Sequence, residues 1–427
     1  MTSPAVSGNE REIPVLAQRL ADYVVLAVAP EVPLIAADYW QLSAEFYRRV
    51  HAFAKVCADN GAGSEYRGLL GCPADPAAYR AFRAAAQRSL SGRGDLRLKA
   101  AALIAEADSQ IWIDHWLGER YQADCDEFGL DRLGQLPDPV RPADASASVS
   151  ASVSVIVPVR DRDRGQRLRN LLACLHALAD QDFAPGQARI TVVETDTHPR
   201  CRDLIEPLAD RYLFAYKDGL FNKSWAVNLG LRAAGAAGES GTPKLTCVLD
   251  ADILVDRSFL ARNAGRFDDP AHHAHLPFRW SLSMDGPATD RAIWHRIGAR
   301  APEVASDALR GLLLRETPGA CLWVRTEVLH RIGGFDERYE GWGGEDDDVA
   351  GRLGQVVSLT RFDDPLLHMD HPRPQMAHPD GRPMNEHLSG SHLTADCWTA
   401  RDGFGDPGRF LPVTSGEPAR GSQAARA

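Results

Sequence analysis

Val153-Ser154-Val155-Ile156-Val157-Pro158-Val159 is a nearly continuous β-branched run, the texture of a strand buried on both faces of a parallel sheet. Forward from it, the Leu-rich segment Arg167 to Ala179 reads as a crossover helix and Arg189-Ile190-Thr191-Val192-Val193-Glu194 as a second strand. Ser224 to Ala236 then reads as a second helix, and Leu245-Thr246-Cys247-Val248-Leu249 as a third buried strand that ends at Asp250-Ala251-Asp252. The order β-α-β-α-β predicts an α/β layer with a mostly parallel sheet, because parallel neighbours need crossover connections.

Backward from the same strand the texture changes. Between Leu136 and Ser152 the chain is rich in Pro, Ala and Ser with neither helical nor strand commitment, which predicts a linker over 137–152. Upstream, 11–29, 36–59, 76–91 and 96–118 carry helix-like apolar spacing, so 1–136 reads as a helical N-terminal region. Its aromatics, Trp40, Phe46, Tyr47, Phe53, Trp112 and Trp116 among them, are assigned to core packing. The α/β domain is placed at 153–404, and the Pro, Gly, Ser, Ala and Arg-rich tail 405–427 is expected to be disordered.

The whole chain bounds the function. With 427 residues, 44% hydrophobic and 25% charged, it has room for a sizeable core and an appended region. A net charge of −10 argues against nucleic acid as a partner, since a broad phosphate-binding face needs a surplus of cations. The N-terminus has neither the basic start nor the apolar core of a signal peptide, and the run Tyr23 to Pro30 is far shorter than the roughly 20 residues that span a bilayer. Eight cysteines are scattered without a Cys-x-x-Cys pair, which favours reduced thiols. These features together predict a soluble, cytoplasmic protein without a transmembrane segment.

Chemistry concentrates at strand ends. In open α/β sheets ligands sit beyond the carboxyl ends of strands, where both Arg160-Asp161-Arg162 and Asp250-Ala251-Asp252 fall. Two carboxylates one residue apart suit a hard cation bridging a diphosphate, Mg²⁺ or Mn²⁺, although Asp-x-Asp alone also fills ordinary turns. The second concentration is Gly341-Trp342-Gly343-Gly344-Glu345-Asp346-Asp347-Asp348, four acids behind a Gly-rich turn and ahead of an apolar-spaced run. Acids in the first turn of a helix are held ionised by free N–H groups and the macrodipole, so one of them can serve as a base.

Taken in order, these segments resemble a GT-A glycosyltransferase over roughly Val153 to His371. Val155 to Arg162 resembles the nucleotide-binding first strand of the β-1,4-galactosyltransferase group, and Phe221-Asn222-Lys223 with Asn228-Leu229-Gly230 resembles that group's Phe-Asn-Arg and Asn-x-Gly segment. Asp250-Ala251-Asp252 matches its metal motif; Gly333-Gly334-Phe335 and Gly341 to Asp348 match its acceptor and catalytic segment. The resemblance implies a Rossmann-like nucleotide-diphospho-sugar transferase domain. It further implies a metal-dependent, inverting transfer from a nucleoside diphosphate sugar, UDP-sugar by preference, to a hydroxyl of a carbohydrate or small-molecule acceptor. Asp346 is then the general base. Pro158, Arg160, Arg162, Glu194, Lys223, Asp250 and Gly319 are the implied donor contacts, and Trp342, Gly344, Glu345 and Asp347 the acceptor contacts. Asp252 and His368 are the implied ligands of Mn²⁺ or Mg²⁺, with His371 as the alternative to His368. His272, His273 and His275 are expected in a surface loop.

Two departures narrow what carries over. Lys223 replaces an arginine fork, and Arg315-Glu316-Thr317-Pro318-Gly319-Ala320 lacks the aromatic that precedes the sugar-binding glycine in the galactosyltransferases. Glu316 beside a sugar pocket would select other hydroxyls or an amino group, so galactose is not implied. A sugar-phosphate nucleotidyltransferase is disfavoured because Val157 to Arg162 has no Gly-rich phosphate loop. A carbohydrate-binding scaffold is disfavoured because both acidic motifs are retained. The helical N-terminal region has no counterpart in the resemblance and is open to shaping the acceptor site or to self-association.

Overall fold

The computed structural model describes residues 12–35, 37–124, 127–136, 152–162, 165–236, 243–400 and 403–411. The expected linker lies outside them except for residue 152, as do residues 412–427 of the expected tail. In chain order the strands are β1 (Ile113–Leu117), β2 (Val153–Val159), β3 (Ala188–Asp196), β4 (Arg211–Tyr216), β5 (Leu245–Leu249) and β6 (Ile253–Leu254). They continue with β7 (Ala274–Leu276), β8 (Trp280–Met284), β9 (Arg310–Arg315), β10 (Cys321–Arg325), β11 (Leu359–Arg361) and β12 (Leu366–His368).

The β-branched run does form the buried central strand. β2 pairs in parallel with β3 and with β5, and β4 extends the parallel set beyond β3. The sheet is completed antiparallel by β10 on β5 and β7 on β10, with β11 parallel to β7, in the order β11-β7-β10-β5-β2-β3-β4. Successive side chains of a strand point to opposite faces, so β2 feeds two cores. Val153, Val155, Val157 and Val159 join the core packed by the helix Gln166–Ala179, while Ile156 joins the one packed by the helix Lys223–Ala236. Both crossover helices and all three strands therefore stand where the hydrophobic pattern placed them.

The N-terminal region is helical over Glu12–Val28, Ala37–Asp59, Gly63–Gly71, Pro76–Gly92 and Gly94–Gln110. The fourth expected helix, 96–118, is corrected: it stops at Gln110, and Ile113–Leu117 becomes β1, the edge of a second sheet ordered β1-β9-β8-β12-β6. Cross-strand pairing with β9, from Ile113 opposite Leu314 to Leu117 opposite Arg310, overrides the helical spacing. No helix among the described residues is long and apolar enough to cross a membrane. The expectation of a disordered tail is also corrected for its first residues. Gly405 N donates to Glu337 Oε1 at 2.6 Å, Trp225 Nε1 donates to Asp406 O at 2.9 Å, and Phe410 meets the Trp225 ring edge-on.

One buried ionic cluster ties the first helix to β1. Arg19 donates to Asp108 at 2.6 Å and to Asp114 at 2.7 Å, and lies 3.3 Å from Asp22, which itself takes Tyr79 Oη–H at 2.7 Å and sits 2.8 Å from His115 Nδ1. Removing one partner of such a cluster leaves the others buried without compensation. Arg19→Met is expected to cost about 3–5 kcal/mol, read as a lowered midpoint in urea denaturation; an unchanged midpoint would show that the cluster contributes nothing net.

Candidate active site

The Asp-Ala-Asp turn divides its two carboxylates between two neighbourhoods. Asp250 leaves β5 with its N–H on Ala320 O at 2.9 Å, which aims the side chain toward the first turn of the helix Lys223–Ala236. There the Lys223 ammonium lies 2.9 Å from Asp250, 2.9 Å from Asp346 and 3.9 Å from Glu345. Lys223 is nearly buried, and the three carboxylates hold its pKa well above the ordinary value against the opposing effect of burial. Asp252 turns the other way. β6 pairs with β12 in the register Ile253 opposite His368, and Met369 N donates to Asp252 O at 2.8 Å. His371 Nε2 stands 3.0 Å, and His368 Nε2 3.6 Å, from the Asp252 carboxylate.

Asp252, His368 and His371 thus offer three ligand atoms mutually within 4.8 Å. Asp252 Oδ1 and His368 Nδ1 are buried without hydrogen-bond partners, the condition of groups waiting for another contact. Burial pushes His368 down to about 4, so its imidazole is neutral and available at physiological pH. The two histidines hold Asp252 below the usual carboxylate range although burial acts the other way. One carboxylate and two imidazoles fit Mn²⁺ by donor chemistry. The alternatives His368 and His371 are not exclusive here; both stand beside the aspartate.

The acidic turn is built by its glycines. Gly341, Gly343 and Gly344 have φ of 77°, 92° and 94°, left-handed values that side chains rarely adopt, and Gly344 caps the helix Glu345–Gly354. Asn385 Nδ2 donates to Gly343 O at 2.8 Å, and Gly341 N donates to Phe221 O at 2.7 Å. The four acids separate in role. Asp348 is buried and paired with Arg352 at 2.7 Å, one helical turn on, so it belongs to the core. Asp346 faces Lys223 and also Gly319, where a Cβ would overlap its carboxylate. Lys223, Asp250, Pro318, Gly319, Ala320 and Asp346 line one pocket floored by Phe335 and Val349. Trp342, 44% exposed, stands outside it on the same turn.

Other expected donor contacts are held inside the protein. Pro158 is buried within β2 opposite Val193. Arg160 is buried, donating to Gly219 O at 2.8 Å and to Lys217 O, and so shapes the loop ahead of Phe221. Glu194 is withdrawn from solvent entirely: its carboxylate accepts Arg200 N, Cys201 N and Tyr212 Oη–H at 2.9, 3.2 and 2.5 Å. The free base or ribose contact expected of Glu194 is corrected to a brace for the turn after β3. Two residues on, Asp196 gathers Arg162 and Arg200 at 2.6 and 3.1 Å, a role its place at the strand's end could have signalled. Arg162, with its side chain 44% exposed, remains open to a ligand. Asn222 and Asn228 are structural, since Asn222 Nδ2 reaches Glu337 O and Asn228 exchanges hydrogen bonds with the Phe335 backbone. His275 corrects the surface-loop expectation: it lies fully buried on β7, stacked on Trp323 and 2.9 Å from Asn263 Oδ1.

Residues 154–333 match the family described as glycosyl transferase family 2, and residues 311–372 match the one described as the N-terminal domain of galactosyltransferase. A comparison with curated proteins finds no match. Among solved structures the chain is similar to a mannosyltransferase from Pyrobaculum calidifontis in complex with GDP-Man and Mn²⁺, at 17% identity over 57% of this chain and 63% of that one, TM-score 0.34. It is also similar to S. aureus TarS, at 15% identity over 52% of this chain and 37% of that one, TM-score 0.36. For TarS 1–349 in complex with UDP the values are 15% identity, 52% and 61%, TM-score 0.35. The chain spans less than two thirds of the length of each.

The acids carry a measurable pH signature. Burial first, then Asp346, push the Glu345 carboxyl up to about 7, with Lys223 opposing. A carboxyl whose folded pKa exceeds its unfolded value of about 4.3 binds its proton more tightly when folded. Its contribution to stability is therefore complete below about pH 4 and lost as pH rises through about 7. Glu345→Gln is expected to flatten the fall in melting temperature between about pH 5 and 7; an identical pH profile would place Glu345 outside the coupled group.

Proposed function

We propose that this chain, a GT-A glycosyltransferase of family 2, moves a sugar from a nucleoside diphosphate sugar, UDP-sugar by preference, to an acceptor hydroxyl with inversion. The observation that carries the reading is the divided Asp-Ala-Asp turn. Asp250 meets the Lys223–Asp346 pair while Asp252 meets His368 and His371, so two carboxylates two residues apart on one strand end link the acid proposed as base to the residues proposed for the cation.

In this reading Asp252, His368 and His371 hold a divalent cation, Mn²⁺ or Mg²⁺, which when bound supplies charge neutralisation to the departing diphosphate. Arg162 adds a planar fork for nucleotide oxygens, Asp250 contacts ribose or donor sugar hydroxyls, and Gly319 lets the sugar approach the base by having no side chain. Lys223 holds Asp346 in place beside the pocket through a 2.9 Å ion pair. The acceptor hydroxyl donates its proton to Asp346 as its oxygen attacks the anomeric carbon; the bond to the diphosphate breaks and the diphosphate leaves with the electron pair. One displacement inverts the centre, and no covalent sugar–enzyme intermediate forms. Glu345 and Asp347 hold sugar hydroxyls, and Trp342 offers an aromatic face at the mouth.

The test incubates purified protein with Mn²⁺ and a panel of nucleotide sugars and follows nucleotide release with and without sugar acceptors. Metal-dependent release from at least one donor is expected, and none from any donor rejects the reading. Asp346→Asn keeps the shape and loses the base, so transfer is expected to fall by at least about 100-fold with donor affinity within about 2-fold of wild type. By calorimetry with UDP and Mn²⁺, Asp252→Ala and His371→Ala are each expected to weaken metal-dependent binding by about 10-fold or more. Unchanged affinity removes that residue from the cation site.

A further inference from the structure

The helical N-terminal region lies outside both stretches that match known families, yet its aromatic edge reaches the loop that ends at the base. Three strands of the second sheet bring this about. Trp280 of β8 stands opposite Arg315 of β9, and Arg315 N donates to Trp112 O at 2.9 Å, just ahead of β1. The Arg315 guanidinium consequently lies over two rings, 5.7 Å from the centroid of Trp112 and 5.9 Å from that of Trp280. Tyr39, on the helix Ala37–Asp59, adds a third ring 5.5 Å from Trp112 at a 38° tilt.

Tyr39 and Trp280 pack against the main core, yet the group is not closed over. Trp225 and Trp323 are fully buried elsewhere, whereas Tyr39, Trp112, Trp280, Arg315 and Glu316 are all half-buried. The Arg315 side chain is 31% exposed, and its Nε has no hydrogen-bond partner. The loop that follows is held in an unusual shape: Glu316 and Ala320 adopt φ of 53° and 72°, left-handed values for residues with a Cβ. Arg279 donates to Glu316 Oε1 at 2.7 Å, and Arg361 Nη1 donates to Thr317 O at 3.0 Å. Glu316, the Tyr39 phenol, Arg279 and Asp347 lie near enough for their charges to act on the Arg361 guanidinium. Asp347 adjoins the base, and Gly319 touches it. A wall therefore runs from Asp346 along the loop, by Gly319, Thr317 with Arg361, and Arg315, to Trp112 and Tyr39.

We propose that Tyr39, Trp112 and Trp280, with Arg315, Glu316 and Arg361, form a subsite for a sugar unit of a carbohydrate acceptor, beyond the unit that receives the transferred sugar. The inference rests on the glycosyl-transfer reading. Aromatic faces stack on the C–H faces of sugar rings, and planar guanidinium and carboxylate groups pair with vicinal hydroxyls. The wall offers both kinds of group in reach of each other, and it supplies the carbohydrate contact that the loop before Gly319 lacks for want of an aromatic. It also makes the N-terminal region a determinant of which acceptor is used.

The test applies the full chain, with UDP and Mn²⁺, to an array of immobilised mono-, di- and oligosaccharides, alongside Trp112→Ala, Tyr39→Ala and Trp112→Phe. A wild-type signal on at least one oligosaccharide is expected, falling about 10-fold in each alanine variant and restored by Trp112→Phe. Acceptor-independent nucleotide release from the donor is the second readout and is expected to change less than 2-fold, a split that general misfolding would not produce. If Trp112→Ala lowers the melting temperature sharply, Arg315→Gln reads the same wall. Equal signals in wild type and variants, or no signal on any oligosaccharide, overturn the subsite. Absence of donor turnover in the wild type overturns the glycosyl-transfer reading instead.

Discussion

The Lys223 ammonium is the charge on which the site's arrangement depends. Asp250 arrives from the end of β5, Asp346 and Glu345 from the first turn of the helix Glu345–Gly354, and the lysine from the first turn of the helix Lys223–Ala236. Carboxylates brought together away from water repel one another, and two of these shed their protons reluctantly: Asp250 is pushed up to about 6 and Glu345 to about 7, both chiefly by burial. A single cation among them offsets that repulsion and fixes the distance between the two acidic motifs. A lysine suits this position because its ammonium is a compact point charge that serves several oxygens at once, whereas an arginine fork would commit to one carboxylate.

The same economy of polar contacts explains why the surrounding motifs look functional and are structural. Asn228 exchanges hydrogen bonds with the backbone of Phe335, and Asn222 with that of Glu337 and Trp225, so the two asparagines hold the Phe335–Glu337 segment against the second crossover helix. That segment leads into the glycine turn, which in turn presents Asp346. Arg160 and Glu194 perform the corresponding service at the ends of β2 and β3. A side chain at a strand's carboxyl end is thus committed either to the ligand or to the loop that shapes the ligand's pocket, and residue type alone does not separate the two.

Much of the α/β layer was legible. β2, β3, β5 and the two helices between them follow from hydrophobic texture because each is buried on the faces the pattern requires, and the acids of Glu345 to Asp348 begin a helix as their position after a glycine turn implies. The second sheet was not legible. β1, β9 and β12 are short, and their partners lie far away along the chain, so 111–118 kept a helical appearance until Leu314 and its neighbours supplied a ladder. The docking of Gly405 to Phe410 was hidden for the same reason: a Gly- and Pro-rich segment becomes ordered only through Glu337, Trp225 and Asn228, which no local pattern announces.

The sequence by itself determined the chemistry available: which strand ends carry acids, which turn must be glycine, and which helix begins with four carboxylates. Local forces suffice for these, since strand burial, left-handed backbone and helix-terminus electrostatics act within a few residues. Only the tertiary structure decided how that chemistry is shared out. It sent Asp250 to Lys223 and Asp252 to both His368 and His371, turned Glu194 inward, paired Asp348 with Arg352, and set Trp112 beside Arg315. Each of these except the Asp348–Arg352 and Glu194 contacts joins groups tens to hundreds of residues apart, through sheet registers that exist only once the whole chain has packed.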